Sequence, residues 1–236
     1  MSLLELDGVR KRYGRRDALV DVDLAVPAGA ALGLLGPNGA GKTTTLRLLL
    51  GFARPTAGRV RVQGLDPIDL RSREGLGYLP ERMALPARMS VAEVLALHAG
   101  LAGLAGSAAR RAVDAALVQT GIADRAGDRV GGLSKGLLQR LGFAQALLGE
   151  PRILLLDEPT SGLDPIGIRE ARTWIADARE RGCTVLVSSH GLSEVERVCD
   201  RVAILHQGRV AAAGALEEIV EAGESLEDAF VRWVSR

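Results

Sequence analysis

The most constraining feature of the sequence is a glycine-rich turn that lies between an apolar run and a helical pattern. Ala31–Leu35 has the composition of a buried strand, and residues 36–43 follow it with three glycines and a proline. Residues 43–52 then have the length and apolar spacing of a helix, which Gly51 and Pro55 would end. A strand, a glycine loop and a helix in this order predict an α/β fold built around a parallel sheet.

The glycine-rich turn has the pattern of a phosphate-binding loop. Residues 36–43 fit G-x-x-x-x-G-K-[ST]. Glycines allow the loop to wrap a polyphosphate with its backbone N–H groups, and the following helix N-terminus adds partial positive charge. Lys42 is then predicted to reach the outer phosphates, and Thr43 to offer its hydroxyl to Mg²⁺. A chance glycine-rich turn is the alternative, and the flanking strand and helix argue against it.

The remaining patterns predict how the chain is organised. Residues 3–26 alternate apolar and polar positions, with turn signals at Gly8 and Gly14, which predicts antiparallel strands. Residues 82–149 are rich in Ala, Leu and Arg at helical spacing and predict an inserted α-helical subdomain. Further strands are predicted at residues 58–64, 75–79, 153–156, 184–188 and 202–205, with a helix at 169–181. The fold class is therefore α/β, with a mostly parallel sheet core and an N-terminal antiparallel part.

The C-terminal part is predicted to contain a hairpin after Gly208 and a last helix capped by Ser225 and Asp228, with an apolar face of Leu226, Phe230 and Trp233. We expect one domain over residues 1–236. Its core comprises residues 1–80 and 151–214, and residues 215–236 supply C-terminal helices.

Composition limits the class of protein. The 236 residues are 47% apolar and 25% charged, with 30 basic against 29 acidic side chains. The apolar fraction predicts a folded chain rather than a disordered one. Because the charges nearly cancel, the chain has no overall positive electrostatic field that would attract nucleic acid. Glycines and prolines interrupt the longest uncharged stretch, residues 25–41, and Glu5 and Asp7 do not suit a signal peptide. We expect an intracellular protein in which Cys183 and Cys199 are reduced, buried thiols.

Two further segments carry residues suited to nucleotide chemistry. The apolar run at 153–156 ends in Asp157 and Glu158, which could hold Mg²⁺ and activate a water molecule, respectively. An ordinary acidic turn is the alternative. Ser134 could cap a helix through residues 137–150 and bind an anion there, or it could cap the helix without any ligand.

Together, these segments resemble the nucleotide-binding subunits of ATP-binding cassette (ABC) transporters over nearly the whole chain. Residues 36–43 resemble the Walker A loop, 133–137 the signature motif, 153–158 Walker B and 161–164 the D-loop. The resemblance implies three catalytic residues: Lys42, Glu158 and His190, the last being the switch histidine. It implies three Mg²⁺ ligands: Thr43, Asp157 and Glu81. It also implies a set of ATP-binding residues: Tyr13, which would stack on adenine, Gly36, Pro37, Asn38, Gly39, Ala40, Gly41, Lys42, Thr43, Thr44, Ser134, Gly136 and Asp164.

The resemblance also implies a mechanism and partners. Two ATPase subunits, identical or different, pair head to tail with ATP between the Walker A loop of one and the Ser134 helix start of the other. Binding closes the dimer, and hydrolysis reopens it. Separate transmembrane permease subunits receive the motion, so the chain would lie on the cytoplasmic face of the cell membrane. It would contact the membrane only through the permease, and no nucleic acid is expected as a partner.

Two residues depart from the family pattern. Glu81 stands where the family usually has Gln, and Lys135 stands in a signature motif that reads Leu-Ser-Lys-Gly-Leu. Lys135 would place a cation near the ATP of the partner subunit, or it would point to solvent. With both departures, the sequence resembles the bacterial export branch of the family, whose permeases are separate proteins.

The alternative functions are a soluble ABC-class ATPase acting on nucleic acid or ribosomes, and a scaffold that binds ATP without hydrolysis. The single cassette, with no long coiled coil between the Walker motifs, argues against the first, and the presence of Glu158 and His190 against the second.

Overall fold

A computed structural model describes residues 1–235, so Arg236, the last residue of the predicted segment 215–236, lies outside the described residues. Over residues 1–235 the strands are β1 (Ser2–Tyr13), β2 (Arg16–Pro27), β3 (Ala31–Leu35), β4 (Ala57–Val62), β5 (Leu76–Leu79), β6 (Ile153–Asp157), β7 (Thr184–Ser189), β8 (Arg201–His206) and β9 (Arg209–Ala215). The α-helices are α1 (Lys42–Leu49), α2 (Val91–Leu101), α3 (Gly106–Gln119), α4 (Lys135–Leu147), α5 (Pro165–Glu180), α6 (Leu192–Val198), α7 (Leu216–Ile219) and α8 (Leu226–Val234).

The chain divides into two compact units. The first unit comprises Met1–Glu74 together with the chain from Thr184 onward, and the second unit comprises Gly75–Cys183. The helical stretch predicted at residues 82–149 contributes α2, α3 and α4 to the second unit, which also contains β5, β6 and α5.

The N-terminal strands of the first unit form the predicted antiparallel sheet, in the order β2-β1-β4. Gly14 lies in the turn between β1 and β2, as predicted. The turn predicted at Gly8 is wrong, because Gly8 lies inside β1. There the register with β2 shifts between Leu6 and Val9, and Gly8 has a φ of 54°. The extra residue is absorbed as a bulge, which a glycine adopts without steric cost.

The parallel strands of the first unit surround β3. Strands β7 and β8 both pair with β3 in parallel, and β9 pairs with β8 in the predicted antiparallel hairpin. Every residue of β3 and of β7 is buried, which explains the apolar sequence of β3 and the apolar centre of β7, residues 185–187. A Cβ atom added to Gly33 of β3 would lie 2.1 Å from Cγ1 of Val195 in α6. This glycine therefore allows α6 to pack closely on the sheet.

The second unit pairs β5 with β6 in parallel and packs its helices around a separate core. Leu79 of β5 lies opposite Leu156 of β6, so both strands end at the same edge. The core of the helices is made of apolar side chains from α2, α3 and α4: Val91, Val94, Leu95, Ala99, Val113, Ala116, Leu117, Leu141 and Ala144. Helix α5 begins four residues before the predicted 169, because Asp164 caps it and Pro165 opens its first turn.

The C-terminal helix α8 begins at the predicted cap, where Ser225 and Asp228 form a capping box. Its Leu226 is buried, while Phe230 and Trp233 are half-buried. Arg232 donates to the Glu224 carboxylate at 2.7 and 3.0 Å, and this hydrogen bonding lowers the pKa of Glu224 to about 2.

Both cysteines are buried thiols, as predicted, and burial raises the pKa of Cys183 to about 11. Among residues 1–235, no helix combines the length and the apolar character that a membrane crossing requires.

Candidate active site

The predicted site residues divide between the two units. The first unit holds the loop at residues 36–43, together with Thr44, Tyr13 and His190. The second unit holds the remaining candidates: Glu81, Ser134, Gly136, Asp157, Glu158 and Asp164.

The glycine-rich loop joins the end of β3 to the start of α1. Gly41 is the N-cap residue of α1 with a φ of 116°, and no side chain caps the helix. A Cβ atom at Gly41 would lie 2.5 Å from Cδ2 of Leu19 and 2.8 Å from the carbonyl oxygen of Ala18. Only glycine therefore suits this position, both for its backbone angle and for its close approach to β2. Gly41 has no side chain that could cap α1, and the N-terminus of a helix favours an anion.

Lys42 is turned back against the loop that precedes it. Its side chain is buried, with the residue only 8% exposed. Its Nζ donates to the carbonyl oxygens of Gly36 at 2.5 Å and of Pro37 at 3.5 Å. A buried ammonium group and a helix N-terminus both favour negative charge, so this loop is suited to phosphate groups.

The three threonines after Lys42 have different environments. Thr43 is exposed and Thr44 is half-buried, whereas Thr45 is buried. The Thr45 hydroxyl donates to the carbonyl oxygen of Gly41 at 3.1 Å, within the helix itself. The exposed hydroxyl of Thr43 is thus more accessible to a ligand than that of Thr45.

Tyr13 lies at the end of β1 with 43% of its surface exposed. The Nζ atom of Lys11 lies 4.7 Å from the centre of the Tyr13 ring and also donates to the carbonyl oxygen of Arg54 at 2.8 Å. A cation at this distance from the ring centre interacts favourably with the aromatic face. The exposed ring is chemically suited to stacking on a base.

His190 follows β7 directly and is exposed. Ser189 lies opposite Leu35 in the parallel pairing of β7 with β3, so His190 and the glycine loop follow the same edge of the sheet. Ligands of open α/β sheets bind at this carboxyl edge. The first unit therefore brings His190 and the phosphate loop to one edge.

Asp157 and Glu158 occupy the equivalent edge of β6 in the second unit. Asp157, the last residue of β6, is 3% exposed, and Glu158 is half-buried with a φ of 51°. Glu81 is exposed and lies two residues beyond the end of β5, which is parallel to β6. The three carboxylates thus follow the ends of neighbouring strands.

The signature and D-loop residues cap two helices of the second unit. Ser134 caps α4 by accepting from the Leu137 N–H at 3.3 Å, which leaves its hydroxyl hydrogen able to donate. Asp164 caps α5 by accepting from the Gly167 N–H at 2.7 Å. Lys135 donates from Nζ to Oγ of Ser161 at 3.1 Å. Lys135 therefore bonds to the D-loop of its own chain, a contact that neither sequence interpretation of Lys135 included.

Sequence reasoning missed Gln139. This residue of α4 is only 4% exposed, and its Nε2 donates to the carbonyl oxygen of Pro159 at 2.7 Å. The available signal was an amide side chain in a helix whose neighbouring positions are mostly apolar, since a buried polar group requires a partner.

Comparisons with known proteins identify the family. The sequence model of the family described as ABC transporter matches residues 19–161, more than half of the chain. An uncharacterized ABC transporter ATP-binding protein of Nostoc sp. is 42% identical over 86% of this chain and 61% of its own length. The lipopolysaccharide export system ATP-binding protein LptB of Acidithiobacillus ferridurans is 39% identical over 93% of both chains. A solved structure of an ATP binding subunit of an ABC transporter superposes with a TM-score of 0.92, at 32% identity, and covers 98% of this chain and 99% of that one.

The fold and these matches define a P-loop ATPase of the ABC type. The chain belongs to the ABC transporter family as an ATP-binding protein, and members of this class hydrolyse ATP. The family resemblance and the fold class predicted from the sequence are confirmed, and the predicted ATPase activity agrees with the family. These similarities support the prediction of a transporter subunit and do not support the alternative of an ATPase that acts on nucleic acid or ribosomes. The chain spans about three fifths of the Nostoc relative.

Proposed function

We propose that this chain binds ATP with Mg²⁺, hydrolyses it within a dimer of ATPase subunits and thereby powers export through a separate transmembrane permease. The observation that carries the proposal is the buried Lys42 ammonium group, which lies against the glycine loop at the N-terminus of α1. Few ligands other than a polyphosphate supply the charge and the number of acceptor atoms that this loop can satisfy.

The glycine loop and its neighbours bind the nucleotide in this proposal. Backbone N–H groups of residues 36–44, except Pro37, which has none, surround the phosphates, and Lys42 contacts the outer ones. Tyr13 stacks on the adenine, which its exposed position at the end of β1 supports.

The oxygen donors suit Mg²⁺, which prefers carboxylate and hydroxyl oxygens together with substrate phosphates. Thr43 and Asp157 would hold the ion, with Glu81 as a third oxygen donor. When bound, Mg²⁺ neutralises charge that develops on the phosphates. Glu158 accepts a proton from the attacking water, and His190 contacts the γ-phosphate.

The dimer completes the site, because Ser134, Gly136 and Asp164 act on the ATP of the partner subunit. The exposed Ser134 at the start of α4 supports this role, since a helix N-terminus with a hydroxyl donor can bind a γ-phosphate. The similarity to LptB, which is described as part of an export system, supports export. In this proposal the chain is a peripheral protein of the cytoplasmic membrane face, held there by the permease.

Sedimentation of the Glu158→Gln variant tests the dimer. With Mg²⁺ and ATP we expect the chain of 24.9 kDa to sediment as a dimer, because ATP is bound but not hydrolysed. With ADP in place of ATP it should remain a monomer, since ADP lacks the γ-phosphate that Ser134 would contact. The double variant Lys42→Met, Glu158→Gln is the matched control and should stay monomeric with either nucleotide. A chain that binds ATP to saturation but remains monomeric would overturn the proposed dimer.

A further inference from the structure

We propose that Gln139, in the helix that carries the signature motif, is a positioning residue for Glu158. This inference rests on the proposed function, in which Glu158 is the general base. It assigns Gln139 no contact with ATP. Its role is to fix the peptide that follows Glu158.

The contact between Gln139 and Pro159 is buried and direct. Gln139 is 4% exposed and Pro159 is also buried, and the hydrogen bond between Nε2 and the Pro159 carbonyl oxygen is 2.7 Å long. Water cannot easily replace the amide donor at a buried position. If Gln139 were replaced by a residue that cannot donate, the Pro159 carbonyl oxygen would lose its hydrogen-bond partner. Leaving this buried oxygen unsatisfied costs more free energy than an exposed hydrogen bond contributes.

The residue that this contact supports has an unusual backbone conformation. Glu158 has a φ of 51°, a left-handed value that a residue other than glycine rarely adopts. Such a conformation persists only where the surrounding structure holds it. Two hydrogen bonds flank it: Gln139 binds the Pro159 carbonyl, and the Ser161 N–H donates to the Glu158 carbonyl at 3.1 Å. Removing the first allows the Glu158 backbone to relax and its carboxylate to move.

Helix α4, which carries Gln139, is held in place by contacts with α5 and with residues 161–162. The rings of Phe143 in α4 and Trp174 in α5 meet edge to face with centroids 5.0 Å apart. At the first turn of α4, Lys135 binds Ser161 at 3.1 Å. A Cβ atom on Gly136 would lie 3.5 Å from the Gly162 carbonyl oxygen, so the backbone of this turn lies close to the D-loop.

A functional consequence follows from the geometry of α4. The same helix presents Ser134 and Gly136 at its start and holds the peptide after Glu158 through Gln139, one turn further on. In the proposed dimer, the start of α4 contacts the ATP of the partner subunit. In this proposal Gln139 therefore links the helix that makes this contact to the peptide that follows the general base.

The Gln139→Met variant tests the role of Gln139. Methionine keeps the length of the side chain but cannot donate to Pro159. We expect kcat for ATP hydrolysis to fall by about 10- to 100-fold with KM nearly unchanged, because a displaced general base weakens catalysis more than binding. In the Glu158→Gln background the same substitution should have no further effect on kcat.

Gln145→Met is the matched control, since Gln145 lies in the same helix and its Oε1 has no hydrogen-bond partner among residues 1–235. Its kcat should equal that of the unmodified chain. If Gln139→Met retains full kcat while Glu158→Gln is inactive, the inference is wrong and the proposed function stands. An effect of Gln139→Met that persists in the Glu158→Gln background would also overturn it. If the unmodified chain does not hydrolyse ATP, the proposed function fails instead.

A second variant, Gln139→Glu, covers the case in which methionine prevents folding. The introduced carboxyl group can donate to Pro159 only in its protonated form. We expect kcat, relative to the unmodified chain, to fall as pH rises through the pKa of that group. A ratio that does not change with pH would contradict the positioning role.

Discussion

The Glu158→Gln variant is expected to hydrolyse ATP about 10²- to 10⁴-fold more slowly than the unmodified chain, as is typical when a general base is lost. The substitution keeps the shape of the side chain and removes only its ability to accept the proton of the attacking water. ATP affinity should change little, because Lys42 and the glycine loop provide most of the proposed phosphate contacts. Phosphate release measures the rate, and calorimetric titration with ATP measures the affinity.

Glu150→Gln provides a closely matched control for this variant. Glu150 is also a glutamate of the second unit with a left-handed backbone, φ 56°, but it is exposed in the turn after α4. Its replacement should leave phosphate release unchanged. If Glu158→Gln and Glu150→Gln both retained the original rate, the assignment of Glu158 as general base would be wrong.

The Lys42→Met variant is expected to lose ATP affinity by roughly 100-fold, equivalent to about 3 kcal/mol, because a buried charged donor is removed from phosphate oxygens. The methionine side chain fills similar space, so the fold of the loop should be preserved. In a thermal unfolding experiment, ATP should raise the melting temperature of the unmodified chain and have little effect on the variant at the same concentration.

Arg47→Met is the control for the removal of positive charge. Arg47 lies in the same helix α1 as Lys42, but it is exposed near the C-terminal end. Its loss changes the net charge by the same amount and should leave the ATP-dependent stabilisation intact. Equal ATP affinity in Lys42→Met and in the unmodified chain would contradict the role proposed for the glycine loop.

The parallel sheet could be predicted well from the sequence, because buried parallel strands have continuous apolar sequences. The prediction for β3 matches its bounds, and those for β6, β7 and β8 differ by one or two residues. Where prediction was wrong, the local sequence allowed two structures. Gly8 suits both a turn and a bulge, and only the pairing of β1 with β2 decides between them.

The candidate site was predictable where a motif combines chemistry with a fixed position on a strand or a helix. The glycine loop follows β3, Asp157 ends β6 and Glu158 comes directly after it, as their sequences indicate. The contacts of Lys135 and Gln139 were not predictable in this way. They join α4 to residues 26 and 20 positions further along the chain, respectively, and this proximity is a result of tertiary packing.

Affinity capture tests whether this ATPase drives a separate membrane permease. Tagged Glu158→Gln protein would be recovered with ATP from gently solubilised membranes of the source organism, and bound chains would be identified by mass spectrometry. The Lys42→Met, Glu158→Gln double variant controls for binding that does not depend on ATP. We expect to recover, in stoichiometric amount, a membrane protein with several spans, and we expect this protein to support ATP-dependent export when it is reconstituted with the unmodified chain. Recovery of ribosomes or nucleic acid, with no membrane protein, would contradict this expectation.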